Sequence, residues 1–315
     1  MQIEARLKGI REEANGICSF EFHERNGGPL PVFDPGAHID LYLPTGLVRS
    51  YSLCNPSDRT SYVVAVNKDA KSRGGSTYMH QTLRVGAEMK ISVPRNNFQL
   101  DQTAAHSVFI AGGIGITPIL GMVRALSASG KSWELHYGSR SSQAAAFVDE
   151  LTGLAERTGA KVRFQFGTRP EDPPRLEEIC RSAPETAHLY CCGPLGMLSA
   201  FEEATRGYSP ERVHTEYFSA PEPIAKAGGF AVRLAKSGKV VPVKNGCTIL
   251  DAILAEGVEV SYSCKEGVCG TCETAVLEGT PDHRDLVLSK SERASNRSMM
   301  ICCSGSLTAE LILDL

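Results

Sequence analysis

The chain has 315 residues, 42% of them apolar and 22% charged, with a formal net charge of −3. That length exceeds one compact domain and suits two or three, with enough apolar material for real cores. The slight negative charge gives no support to a nucleic-acid binder, whose phosphate contacts need a basic surface, and no apolar run approaches the ~20 residues of a membrane helix.

The opening MQIEARLKGIREEANG lacks the apolar stretch of a secretory signal, which predicts a cytoplasmic protein. In that compartment eleven cysteines point to metal or redox chemistry before disulfides. The first hundred residues read as β-rich. AHIDLYL, VRSYSLC, SYVVAVNK and AEMKISVP are short runs with β-branched and aromatic residues between Gly, Pro and Asn clusters. They predict a small barrel or sandwich over 1–102. One run carries Arg49, Ser50, Tyr51, Ser52 and Leu53. An arginine can bind a phosphate in bidentate fashion. Tyr51 lies on the same strand face and suits a flat ring, which Ser52 can hydrogen-bond. The loop RGGST at 73–77 offers backbone N–H groups to a phosphate. An ordinary barrel strand with a surface arginine accounts for these residues equally well.

From about residue 103 the pattern changes. HSVFIAG, WELHYGS, KVRFQFG and AHLYCCG are strand-like, while ILGMVRALSASG and AAAFVDELTGLAER are helical in pattern. Alternation of this kind predicts βαβ units and a mostly parallel sheet over 103–221. The first strand runs into GGIGITP. Gly112, Gly113 and Gly115 allow close approach of a phosphate-bearing ligand, and Pro118 suits the first helical turn, whose free N–H groups favour anions. Tight packing alone explains such a loop almost as well. CGPLGM at 192–197 follows a second strand, and ligands of open α/β sheets bind outside such strand ends. The two loops together predict one crevice for a dinucleotide. Cys191 and Cys192 alternate on their strand, so one of them faces that crevice.

APEPIAKAGG at 220–229 reads as a linker, assigned to 222–229. Beyond it, FAVRLAKSGKVVPV predicts a hairpin around Ser-Gly. TILDAILAEG predicts a helix capped by Thr248, with Asp251 three residues on, and closed at Gly257. SCKEGVCGTC then places Cys264, Cys269 and Cys272 as C-x4-C-x2-C, with a fourth thiol at Cys302. This is the plant-type [2Fe–2S] spacing, built from soft anionic ligands that suit iron and sulfide. Gly267 and Gly270 let the backbone fold tightly around a cluster. A structural zinc site is the competing reading, but zinc favours two separated C-x2-C pairs, and one is present.

In this order, R-S-Y-S-L, G-G-I-G-I-T-P, C-G-P-L-G-M and the four-cysteine tail resemble the ferredoxin–NADP reductase superfamily. More narrowly they resemble the family of phthalate dioxygenase reductase and vanillate demethylase reductase. The resemblance spans essentially the whole chain. It implies an antiparallel β-barrel that binds FMN, an α/β parallel-sheet nicotinamide domain and, over 230–315, an α+β (β-grasp) ferredoxin domain. By the same resemblance Arg49, Ser50, Tyr51 and Ser52 match the flavin motif, Gly74, Gly75 and Ser76 the FMN phosphate loop, and Val66 and Asn67 a strand touching the flavin. Thr117 falls between flavin and nicotinamide, and Phe218 matches the aromatic residue that covers the flavin. Gly112, Gly113, Gly115, Cys192, Gly193 and Pro194 match dinucleotide-binding positions. Ser52, Thr117, Cys192 and Phe218 then stand where hydride transfer takes place. Cys264, Cys269, Cys272 and Cys302 are the implied cluster ligands, with Cys303 a small buried hydrophobe.

The family is mostly NADH-dependent, which implies NADH. Ser139 and Arg140 occupy the strand end where an acidic residue would hold a ribose 2′-hydroxyl, and they are able to meet the 2′-phosphate of NADPH. The implied relay runs from NADH to FMN to the cluster, which sits at roughly −400 mV, and on to the terminal Rieske oxygenase of an aromatic-acid pathway. Alternatives are a reductase for a diiron monooxygenase or a free ferredoxin, and a redox-sensing or zinc-binding regulatory chain.

Overall fold

The computed structural model describes residues 2–167, 175–220 and 228–315. The chain divides into two compact units, 1–216 and 217–315. Most of the predicted linker lies outside the described residues. Its last two residues are tied into the second unit: Gly228 N donates to Asn245 Oδ1 (3.0 Å) and Gly229 N to Val243 O (2.8 Å).

The first unit opens with β1 (Gln2–Ala14), β2 (Ile17–Glu24), β3 (His38–Tyr42), β4 (Val48–Ser52), β5 (Tyr62–Asn67), the short helix α1 (Gly75–Gln81) and β6 (Glu88–Ser92). These strands form an antiparallel sheet in the order β4-β3-β6-β1-β2-β5. Its edges meet where Leu53 bridges Val64 and Cys54 N donates to Val63 O (2.9 Å), which closes the sheet into a barrel. Two register shifts in β1, after Leu7 and after Glu12, supply the local bend such closure needs. Leu7, Phe20, Phe22, Ile39 and Leu41 fill the interior; each contributes about 1.5–3 kcal/mol on burial. The strands β1 and β2 are additions to the four runs read from the sequence. The charged QIEARLKGIREEA hides the alternation that buries Ala5 and Leu7.

The same unit continues with β7 (His106–Gly112), α2 (Ile116–Ala128), β8 (Ser132–Ser139), α3 (Val148–Thr158), β9 (Lys161–Phe166), α4 (Leu176–Ser182), β10 (His188–Cys192), α5 (Leu195–Ala204) and β11 (Val213–Glu216). The sheet order is β11-β10-β7-β8-β9 and every pairing is parallel. The chain leaves β7 toward β8 and β9, then returns to lie beside β7 as β10. The crevice of an open α/β sheet forms at such a reversal, here between the carboxyl ends of β7 and β10.

The second unit contains β12 (Phe230–Leu234), β13 (Val240–Val243), α6 (Ile249–Ala255), β14 (Glu273–Glu278), β15 (Pro281–Asp282), α7 (Lys290–Ser295), β16 (Ser298–Met300), β17 (Gly305–Ser306) and β18 (Glu310–Leu313). The order β13-β12-β18-β14-β16 is a mixed sheet, and α6 packs Ile249, Leu250 and Ile253 into one core with its strands. Thr248 Oγ1 accepts from Asp251 N (3.0 Å) at the start of α6, as the sequence predicts.

Candidate functional site

In β4, Arg49 and Tyr51 share one face, and Ser50 and Ser52 the other. Arg49 reaches the start of α1. Its Nη2 donates to Arg73 O (3.1 Å) and its Nη1 to Val48 O (2.8 Å). A Cβ on Gly75 would stand 2.7 Å from Arg49 Cγ and Nε, so only glycine lets this guanidinium lie against the turn. Ser72 Oγ accepts from Gly74 N (3.1 Å) and Thr77 N (3.3 Å) at the start of α1, and a helix start beside a cation suits an anion there. Ser76 Oγ accepts from Asp69 N (3.3 Å). Tyr51 is half-buried, and burial pushes its phenol up to about 12 against the pull of Arg49. Ser52 is buried, as is Val66, while Asn67 is partly exposed at the end of β5.

Ser50 Oγ donates to Asp40 Oδ1 (2.6 Å), and Arg95 Nη2 donates to Asp40 Oδ2 (2.8 Å). The hydroxyl of Ser50 is therefore turned to a buried ion pair behind the strand, on the face opposite Arg49 and Tyr51.

At the crevice the two glycine loops touch each other. A Cβ on Gly115 would lie 2.2 Å from Cys192 O, and one on Gly112 would lie 2.6 Å from Pro194 Cδ. Close packing of loop on loop thus accounts for these two glycines. Gly113 differs: it has φ +54° and open space on its Cβ side, which leaves room for a ligand. Gly193 lies against Gly112 and Met197. Thr117 is buried in the first turn of α2, and its hydroxyl donates to Ile114 O (3.0 Å). Ser139 is buried and Arg140 exposed at the end of β8. Phe218 is 43% exposed and falls in the second unit.

One residue at the crevice escapes the sequence reading. Glu216 ends β11, paired with Cys192, and Cys192 Sγ lies 3.9 Å from Glu216 Oε2. Burial raises the Glu216 carboxyl to about 8. Burial also pushes the Cys192 thiol well up, with Glu216 adding to it. Both shifts favour the protonated form. A short strand-like VHTE before Tyr217 was the available signal.

In the second unit the four thiols converge. Cys264 interacts with Cys269 and with Cys302, and Cys272 with Cys302. The contact with Cys269 favours the Cys264 thiolate, yet Cys302 and burial prevail and its pKa rises. Cys269 is raised by Cys264 and then by burial, and Cys272 by Cys302 and then by burial. Four thiols so placed cannot all ionise without positive charge among them. Among the described residues no group of three or more His, Cys, Asp or Glu is arranged to hold a metal ion. The thiols form one connected set, Cys269 to Cys264 to Cys302 to Cys272, and four convergent thiols at this spacing suit a binuclear iron–sulfur cluster. Glu266 N donates to Cys264 Sγ (3.3 Å), and Thr271 Oγ1 stands 3.2 Å from Cys269 Sγ. Gly267 has φ +72°, and its Cβ would stand 2.6 Å from Cys303 Sγ. Cys303 itself points at Met300 O (3.6 Å) and Ser304, so it packs beneath the loop.

A closed antiparallel barrel, a parallel sheet with a nucleotide crevice and a four-thiol loop define an iron–sulfur oxidoreductase of modular build. The oxidoreductase NAD-binding domain family matches residues 109–203, and the 2Fe-2S iron-sulfur cluster binding domain family matches 232–305. The chain is 52% identical to phenoxybenzoate dioxygenase subunit beta of Ectopseudomonas oleovorans, over 99% of this chain and 97% of that one. It is 41% identical to vanillate O-demethylase oxidoreductase of Pseudomonas putida, over 99% of this chain and all of that one. The solved phthalate dioxygenase reductase, described as a modular structure for electron transfer from pyridine nucleotides to [2Fe-2S], superposes with a TM-score of 0.72 at 36% identity, covering 100% of this chain and 98% of that one. The chain belongs to this family of oxygenase and demethylase reductases. Among the described residues no helix is long and apolar enough to cross a membrane.

Proposed function

We propose that this chain is the cytoplasmic reductase component of a Rieske-type aromatic oxygenase or demethylase, drawing electrons from NADH. The observation that carries this reading is the joint presence of the Arg49–α1 anion cradle, the β7/β10 crevice and four convergent thiols in one chain. FMN supplies the change of stride, accepting two electrons as hydride and releasing them singly.

The chain's own residues bind and orient. Arg49 and the loop of Gly74, Gly75 and Ser76 hold the FMN phosphate, with the amides of Gly75 and Ser76 turned to it. Tyr51 and Asn67 line the ring, and the backbone of Ser52, at the strand end, and of Val66 borders it. Gly113 gives the pyrophosphate its approach to the start of α2, while Gly112, Gly115, Gly193 and Pro194 fix the crevice around it. Ser139 and Arg140 take the adenosine ribose. Thr117, Cys192 and Glu216 flank the nicotinamide, and hydride transfer asks none of them to act as acid or base. Cys264, Cys269, Cys272 and Cys302 ligate the cluster, and barrel, nicotinamide domain and ferredoxin domain divide near 102 and 222–229.

Metal and sulfide analysis with anaerobic stopped-flow tests the reading. About two iron and two sulfide per chain, with flavin bleaching by NADH preceding cluster bleaching, are the expected results. Zinc without sulfide, or cluster bleaching before flavin, would overturn it. Delivery to an isolated Rieske oxygenase in preference to a diiron oxygenase fixes the partner.

A further inference from the structure

The flavin strand β4 ends against the barrel seam, where Cys54 N is spent on Val63 O. The carbonyl of Cys54 faces α2, the helix that leaves the GGIGITP loop. The helix lies directly on this strand end: a Cβ on Gly121 would stand 3.3 Å from Leu53 O. One turn later, Arg124 Nη1 donates to Cys54 O. The rest of the same guanidinium is a fork, with Nε on Glu150 Oε1 (2.6 Å) and Nη2 on Glu150 Oε2 (2.7 Å). Glu150 sits in the first turn of α3, just past Phe147, whose φ of +63° ends the loop from Ser139 and Arg140.

One side chain therefore fastens three segments, and each bears a different part of the proposed site: the flavin strand, the pyrophosphate helix and the helix behind the ribose loop. The Arg124 and Glu150 side chains are 22% and 36% exposed and border a cleft of about 990 Å³. An ion pair this wet adds little to stability. What the planar fork adds is fixed direction. Lysine keeps the charge but cannot hold a carboxylate and a carbonyl in three set directions at once.

We propose that Arg124 is a positioning residue for hydride transfer. Through Cys54 O and Glu150 it sets the offset between the flavin strand and the nucleotide crevice. The idea rests on the functional reading above. A misplacement near 1 Å costs about a hundredfold in rate, and Arg124 touches neither the Arg49 cradle nor the glycine loops. Its loss should slow transfer and spare binding.

The test uses the full-length, FMN-loaded protein as wild type, Arg124→Lys, Arg124→Met and Glu150→Gln. Flavin reduction at saturating NADH should fall about ten- to a hundredfold in both Arg124 variants and less in Glu150→Gln. KM for NADH and FMN affinity should stay within about twofold of wild type. The long-wavelength charge-transfer absorbance of the NADH complex should weaken. In the FMN-free chain, amide exchange should quicken together in residues 53–64 and 147–152. Wild-type reduction rates with an undiminished charge-transfer band would overturn the proposal, and so would a rate loss matched by equal loss of FMN or NADH affinity. If Arg124→Met does not fold, Arg124→Lys carries the test alone. Absence of flavin reduction by NADH in the wild type would instead sink the functional reading itself.

Discussion

The two units solve the same task, holding a redox group, by opposite means. The second unit gathers four identical side chains from residues 264–302 and lets ligand chemistry do the rest. The first unit assembles its site from β4, the turn before α1, the β7 and β10 loops and the end of β11, with Arg49 among few charged groups. A site made of bonds to metal fails when one donor is lost. A site made of many weak contacts loses function by degrees.

The sharpest way to break this contrast is Cys272→Ser. It removes a buried thiol donor that contacts Cys302, and iron content and onward electron transfer should collapse to background. NADH should still bleach the flavin at the wild-type rate in stopped flow, because no thiol of this set lies in the first unit. Normal reduction of a one-electron protein acceptor by this variant would show that the relay bypasses the cluster.

The counterpart in the first unit is Arg49→Ala. A charge-assisted hydrogen bond to the phosphate is worth about 1.5–3 kcal/mol, so FMN should bind about ten- to a hundredfold more weakly, read by fluorescence titration. Excess FMN should restore activity. No excess of iron should restore Cys272→Ser. Unchanged FMN affinity would remove Arg49 from the phosphate site.

The same contrast explains what could be read in the sequence. Thiolate chemistry tolerates no substitute, so C-x4-C-x2-C and Cys302 declare the cluster site outright, and the capped helix over 249–255 follows ordinary rules. R-S-Y-S and the glycine loops are legible because phosphate needs cations and free amides. Their detail is not. Gly112 and Gly115 read as ligand contacts, yet their space is taken by Pro194 and the Cys192 carbonyl. That contact joins segments far apart in sequence, so no local pattern records it. Glu216 is hidden for a related reason. A single glutamate on a short edge strand looks like surface, and no local pattern records the parallel pairing that sets it beside Cys192. Strand β1 is masked by charges on its outer face.

Glu216 offers a smaller, graded effect. Burial raises its pKa to about 8, against about 4.3 for an unperturbed glutamate. The folded state binds the proton more tightly, so its stabilising contribution is complete below about pH 4.3 and is lost as pH rises through about 8. Glu216→Gln removes that loss. Its unfolding free energy relative to wild type should rise between pH 5 and pH 8 by about 1–2 kcal/mol, discounted for the solvent contact the residue keeps. Urea unfolding followed by flavin fluorescence at several pH values reads the difference, while the ferredoxin-unit signal should show none. Parallel pH profiles for wild type and variant would mean that the carboxyl is ionised at neutral pH.

The smallest expected effect lies at α6, and it tests whether the second unit leans on ordinary packing as well as on its cluster. Thr248 Oγ1 accepts the Asp251 amide at the helix start (3.0 Å). At the other end Gly257 takes φ +75°, its N–H donating to Leu254 O (3.0 Å) while Val258 N donates to Ile253 O (3.3 Å). That pair of bonds is a Schellman closure. Loss of an N-cap hydroxyl costs about 1 kcal/mol, and a side chain forced into left-handed backbone costs about 1–2 kcal/mol. Thr248→Ala and Gly257→Ala should therefore each shift the urea midpoint of visible-absorbance loss slightly, with the two costs adding because the caps share no partner. The flavin signal should not move. If the cluster alone held this unit together, neither substitution would alter that midpoint, since the helix ends could fray with the thiolate bonds intact. A measurable shift from both would show that the thiols are kept in register by the same capping and burial that shape the barrel.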